Sequence, residues 1–90
     1  MSQAALTLTL PSTLRHAQIM GWLASLRLSA QNGQTVVLDA SALTSFDSSA
    51  LACLIEVRRR LLALGASLQV TGLSERLQRL AQVYGLADLL

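Results

Sequence analysis

Apolar and polar residues change period several times along this chain, and each change marks an element. Leu6–Leu10 (LTLTL) alternates with period two, as a half-buried strand does, and Pro11 closes it. Ser12 or Thr13 is placed to cap a helix that the spacing predicts over Leu14 to about Ser29. Its apolar residues form two stripes: Leu14, Ala17, Met20, Ala24 and Leu28 on one side, Ile19, Trp22, Leu23 and Leu26 on the other. Gln31–Gln34 (QNGQ) reads as a turn. Thr35–Leu38 (TVVL) is an unbroken β-branched and aliphatic run, the mark of a buried central strand, and Asp39 ends it.

Ala40–Phe46 is a short connection, and a second helix starts at Asp47–Ser49 and runs to about Leu64. Gly65 supplies its left-handed end. Ser67–Thr71 (SLQVT) alternates as a third strand, Gly72 turns the chain, and Ser74 caps a last helix. Leu77, Leu80, Ala81 and Tyr84 recur there at helical spacing, and Gly85 with Leu86 forms a Schellman-type ending. The order is β-α-β-α-β-α, which implies an α/β fold: a small mixed or mainly parallel sheet with helices covering at least one face.

Composition narrows what such a fold does. The 90 residues are one domain's worth, residues 1–90, with 52% hydrophobic and 13% charged residues against a usual charged share of about 25%. Disorder is excluded, and the apolar surplus points to surface that another protein covers. No run approaches the about 20 apolar residues of a spanning helix, the longest being Ala50–Ile55. Met1–Leu10 carries no basic leader, so the expectation is a cytoplasmic protein. A net charge of +2, with every basic residue an arginine, is too small an excess for nucleic acid.

The most distinctive feature is the helix entry Phe46-Asp47-Ser48-Ser49-Ala50-Leu51. On a wheel, Leu51, Cys53, Leu54, Ile55, Val57, Leu61, Leu62 and Leu64 fill a buried arc of roughly 200°. The outer arc holds Ser48, Ser49, Ala52, Glu56, Arg59, Arg60 and Ala63. Ser48, Ala52, Arg59 and Ala63 fall near one line, a flat surface that another helix can approach. By itself Asp-Ser-Ser is an ordinary helix cap.

A strand ending Val37-Leu38-Asp39, a short link, that Asp-Ser-Ser entry and a long apolar helix together resemble the STAS family. The family includes anti-sigma factor antagonists and the STAS subunit of the Mla phospholipid transporter. The ending Leu80-Ala81-Gln82-Val83-Tyr84-Gly85-Leu86 is similar to the MlaB-like members in particular. In the family, the Ser or Thr after the Asp lies on the partner-binding surface, and in the antagonists it is the phosphorylation site. Carried here, that residue is Ser48. The chain departs from the family in carrying Ala50 where many members have Gly, in showing one opening strand instead of two, and in Pro11.

The remaining residues read as structural. Cys53 falls on the buried arc as a small apolar group, and His16 is solitary, without partners at metal-ligand spacing. Arg58-Arg59-Arg60 fan around the helix, so Glu56 pairing with Arg59 or Arg60 supports the helix and no basic patch forms. Arg58 points into the apolar arc, where its stem packs. Trp22 is core or interface. Tyr84 lies on the core-facing stripe with its hydroxyl at the rim.

No phosphate loop, supported nucleophile or carboxylate pair is visible, so the expectation is a non-enzyme with no cofactor and no metal. The resemblance implies a docking subunit on the cytoplasmic ATPase of an inner-membrane phospholipid-transport ABC complex, touching the membrane only through that complex. The expected partner surface is Asp47, Ser48, Ser49, Ala52, Arg59, Ala63 and Tyr84. The alternative is an antagonist of an anti-sigma factor kinase, switched by phosphorylation of Ser48; a free-standing ligand-binding domain is weaker, because no polar pocket residues converge.

Overall fold

The computed structural model describes residues 6–26, 31–86 and 88. Among these, β1 (Leu6–Thr9), β2 (Thr13–Leu14), α1 (His16–Ser25), β3 (Thr35–Asp39) and β4 (Ser45–Phe46) are followed by α2 (Ser49–Ala63), β5 (Ser67–Thr71) and α3 (Glu75–Val83). The main sheet has the order β1-β3-β5 and both pairings are parallel. The expected α/β architecture with a small parallel sheet is the observed one.

Alternation sets which face is covered. Leu6 and Leu8, Val36 and Leu38, and Leu68 and Val70 stand in register across the three strands and pack into the core. The other face carries Thr7, Thr9 and Gln69, all exposed, with Val37 and Asp39 half-buried. β3 is therefore central, as its β-branched run predicts, but it is covered on one face only. One cluster joins Val36 to Val57, Leu61 and Ala66; the larger joins Leu38 to Leu51, Leu54, Leu77 and Ala81. Trp22 packs half-buried against both, which makes it a core residue.

The first helix is shorter and starts later than its spacing suggests. Thr13 and Leu14 pair with Ser45 and Phe46 in a second, two-residue parallel sheet, and the Ser12 carbonyl accepts the Thr44 and Ser45 N–H groups. Neither Ser12 nor Thr13 caps the helix. Leu14 is fully buried instead of lying on a helical stripe. Inside α1 the second stripe faces the core, while Ala17, Met20 and Ala24 are exposed. Leu28 and the expected end near Ser29 lie outside the described residues.

Both later helices end as Schellman motifs, which satisfy carbonyls left over at the helix end. At α2, Ala66 N–H donates to the Leu61 carbonyl at 2.9 Å and Gly65 N–H to Leu62 at 3.0 Å. At α3, Leu86 N–H donates to Ala81 at 2.8 Å and Gly85 N–H to Gln82 at 3.0 Å. Ser74 accepts from Leu77 N–H at 3.2 Å, as its position before α3 predicts.

The buried arc of α2 is narrower than the wheel suggests. Ala50, Leu51, Cys53, Leu54, Val57 and Leu61 are buried, but Leu62 and Leu64 are exposed. Leu62 sits about 100° beyond Leu61, past the edge of what the sheet and α1 cover, and Leu64 lies after the last helical residue. Ala50 packs wholly inside the core.

Two glycines give opposite predictions. A Cβ at Gly72, whose φ is +74°, meets the Ser41 backbone N at 2.8 Å, whereas at Gly21 it meets nothing within 4 Å. In urea unfolding followed by circular dichroism, Gly72→Ala should lower stability by more than about 1 kcal/mol. Gly21→Ala, in an exposed helix interior, should raise it by about 0.5–1 kcal/mol.

Candidate functional site

Asp47 organises the site through backbone amides. Its Oδ1 accepts the Ser49 N–H at 2.9 Å at the start of α2, and its Oδ2 accepts the His16 N–H at 3.1 Å at the start of α1. One carboxylate thus caps two helix N-termini, where negative charge is favoured by the aligned peptide dipoles. The His16 bond is the main cause holding the Asp47 carboxyl below its ordinary value; the Ser49 bonds and the nearby Arg15 charge add to it, against an opposing desolvation effect. The Arg15 N–H donates to Gln18 Oε1 at 3.0 Å, closing the first turn of α1 from the other side. Both oxygens thus serve as backbone caps.

Ser48 takes helical φ and ψ of −61° and −21°, and its hydroxyl makes no cap bond. It is exposed and lines a groove of about 390 Å³ with Arg15, Phe46, Asp47, Arg76, Leu80 and Tyr84. Two arginines border this groove. Arg15 Nε donates to Ser45 Oγ at 2.9 Å, and the Arg76 guanidinium sits 5.2 Å from the Phe46 ring centroid.

The residues predicted for the partner surface divide into two groups. Asp47, Ser48 and Tyr84 meet at the groove. Ser49 is half-buried behind it, its N–H held by Asp47. Ala52, Arg59 and Ala63 are exposed along α2, away from the groove, and the line from Ser48 to Ala63 extends about 22 Å. Ile55, half-buried, and Leu62, 51% exposed, lie beside that line and widen its apolar part.

Tyr84 is not on the core-facing stripe. It is 56% exposed because the core ends at Leu77 and Ala81, and the chain turns back so that Leu86 packs there instead. Arg15 and Arg76 had no local signal: each stands alone in the sequence, and only the docking of α1 and α3 beside α2 brings both to Ser48.

Away from the groove, Glu56, Arg59 and Arg60 of α2 are engaged with one another. Arg59 donates from Nε and Nη2 to the two Glu56 oxygens at 2.9 Å each, and Arg60 Nε donates to Glu56 at 2.7 Å. These bonds hold the Glu56 carboxyl down at about 2. Burial pushes the Cys53 thiol up to about 11, which suppresses the nucleophilic thiolate. His16 is exposed, and among the described residues no three His, Cys, Asp or Glu side chains group to hold a metal ion. No described helix is long and apolar enough to cross a membrane. The groove presents an apolar floor, two guanidinium groups and two hydroxyls.

Two measurements follow from these groups. Asp47 has a lowered pKa when folded, so its contribution is complete above the ordinary value of 3.8 and is lost as pH falls through the lowered one. The stability gap between wild type and Asp47→Asn should therefore shrink as pH falls below about 5, as read from urea midpoints. Cys53 should not react with a thiol-specific disulfide reagent at about pH 8 until the domain is unfolded.

Comparison with known proteins agrees with this architecture. The family model described as Mlab, STAS domain, matches residues 1–90. No curated protein and no solved structure matches the chain.

Proposed function

The chain belongs to the MlaB-type STAS family, and from that premise we propose that it is a non-catalytic docking subunit of an inner-membrane phospholipid-transport ABC complex. STAS domains act as protein-interaction modules and are generally non-catalytic. In this reading the chain is cytoplasmic and reaches the membrane only through its partner, the ATPase subunit. It binds by the groove at Ser48 and Tyr84 and by the α2 face that runs through Ala52 and Arg59 to Ala63. Binding favours the assembled ATPase by mass action.

The observation that carries the reading is the exposed Ser48 at the mouth of a groove continuous with flat, partly apolar helix surface. Met20, Leu62, Val83 and Tyr84 are each more than half exposed, a large apolar display for so small a chain. A second reading rests on the Ser48 hydroxyl, which is exposed and uncommitted to capping. That setting suits phosphorylation, as in an anti-sigma factor antagonist. Mass spectrometry of the protein from its host, with and without phosphatase treatment, separates the two readings.

Ser48 separates fold from binding. Ser48→Ala removes no cap bond and should leave the melting point near wild type. Ser48→Asp should do so too, since negative charge is favoured at a helix N-terminus. Buried against a partner, that charge must be desolvated or must take up groove donors that the partner would use, and either weakens binding. Affinity for the purified ATPase subunit, measured by calorimetry, should fall by at least about 100-fold for Ser48→Asp. Ala63→Arg should weaken binding in the same direction. Wild-type affinity in Ser48→Asp would show that this face is not the docking surface.

A further inference from the structure

Arg15 stands just before α1 and Arg76 lies in the first turn of α3, yet both line the groove with Ser48. Among the described residues Arg15, Arg76 and the half-buried Arg58 of α2 make no ion pair, whereas Arg59 and Arg60 pair with Glu56, and Arg79 with Glu75; only Arg15 and Arg76 of the three line the groove. Asp47 is the acid in the groove lining, and its two oxygens already accept backbone N–H groups. Two arginines against one aspartate leave a formal charge of +1.

The helix N-terminus is not what calls for a ligand. The Ser49, Ala50 and Leu51 N–H groups are taken by Asp47 Oδ1, the Asp47 carbonyl and the Ser48 carbonyl. The uncommitted donors are guanidinium N–H groups and the Ser48 hydroxyl. Both guanidiniums are anchored before any partner arrives, Arg15 by Ser45 Oγ and Arg76 over the Phe46 ring. That lowers the entropy cost of using them.

Resting on the docking reading above, we propose that this groove receives one carboxylate side chain, Asp or Glu, of the partner protein, bound by Arg15 and Arg76. A single negative charge matches the groove's +1, and guanidinium forks fit a planar carboxylate. A phosphate, carrying about −1.5 to −2, would meet the fixed Asp47 charge with its excess. The apolar floor of Phe46, Leu80 and Tyr84 takes an aliphatic residue flanking that acid. The Ser48→Asp change then has a second effect, because its carboxylate occupies the arginines in the partner's place.

The test uses the whole chain and the purified ATPase subunit, with calorimetry at about 50 and 300 mM salt. Arg76→Glu should weaken binding by about 50-fold or more and flatten the salt dependence. Arg76→Lys, which keeps the charge but loses the fork and the ring contact, should weaken binding by less than Arg76→Glu does, and Arg79→Glu, already paired in its own helix, should stay within about twofold of wild type. One Asp or Glu to Lys variant of the ATPase should fail with wild type and recover with Arg76→Glu. If Arg76→Glu binds normally while Ser48→Asp fails, the carboxylate assignment is wrong and the docking face stands. Should both bind normally, both fall.

A partner-free arm covers the case in which the ATPase does not bind at all. The arginine Nε–H signals are followed by NMR during titration with N-acetylglutamate amide. Saturating shifts confined to Arg15 and Arg76 support the proposal; equal shifts that include Arg79 overturn it. A stronger response to inorganic phosphate or to phosphatidylglycerol vesicles also overturns it, by making the groove a phosphate site.

Discussion

Both helices that frame the groove are tied to one side chain, Asp47. Its carboxylate accepts from the first amide of α1 and from the first amide of α2, so the two helix starts are held side by side. Each helix end would otherwise leave orphan donors, and a shared acceptor satisfies one at each at once. The position of Ser48, of Arg15 and of the two-residue β2–β4 sheet follows from that tie. A cap that would ordinarily concern one helix here sets the geometry of a surface.

The rest of the fold delivers the third helix to the same place. β5 pairs with β3, Gly72 turns tightly against Ser41, and Ser74 starts α3 so that Leu77 and Ala81 enter the core. Arg76, one residue from Leu77, is carried over Phe46, and Tyr84 is left at the far end of the helix, beside the groove. Packing of apolar residues fixes where the polar ones stand. The two Schellman endings keep the helix termini satisfied without drawing on groove side chains.

The molecule spends little charge on its surface, and most of that charge on α2 is internally paired. Glu56 pairs with both Arg59 and Arg60, which gathers that part of the α2 charge into one cluster between the exposed Ala52 and Ala63. The groove holds its positive charge on two guanidinium groups that make no ion pair among the described residues. In the docking reading, the groove offers charged contacts and Ala52, Leu62 and Ala63 offer apolar ones, a difference that orients a partner.

What the sequence by itself determined is the set of local elements with strong periodicity or strong punctuation. β3, β5, α2, α3, both glycine-terminated helix ends and the Ser74 cap were legible, because period two, period 3.6 and positive-φ glycine are encoded within a few residues. The Asp47–Ser48 entry was legible too, as a motif. Tertiary structure alone decided the rest. The β2–β4 bridge is two residues per strand, too short for any period, and it moved the start of α1 to His16. Leu62, Leu64 and Tyr84 are apolar or aromatic at core-like spacing but overhang the edges of the layer they should have entered, since a helix wheel records direction and not where the neighbouring surface stops. The convergence of Arg15 and Arg76 on Ser48 joins residues 33 and 28 positions away along the chain. Charge of that kind carries no periodic signal, and only packing brings it together.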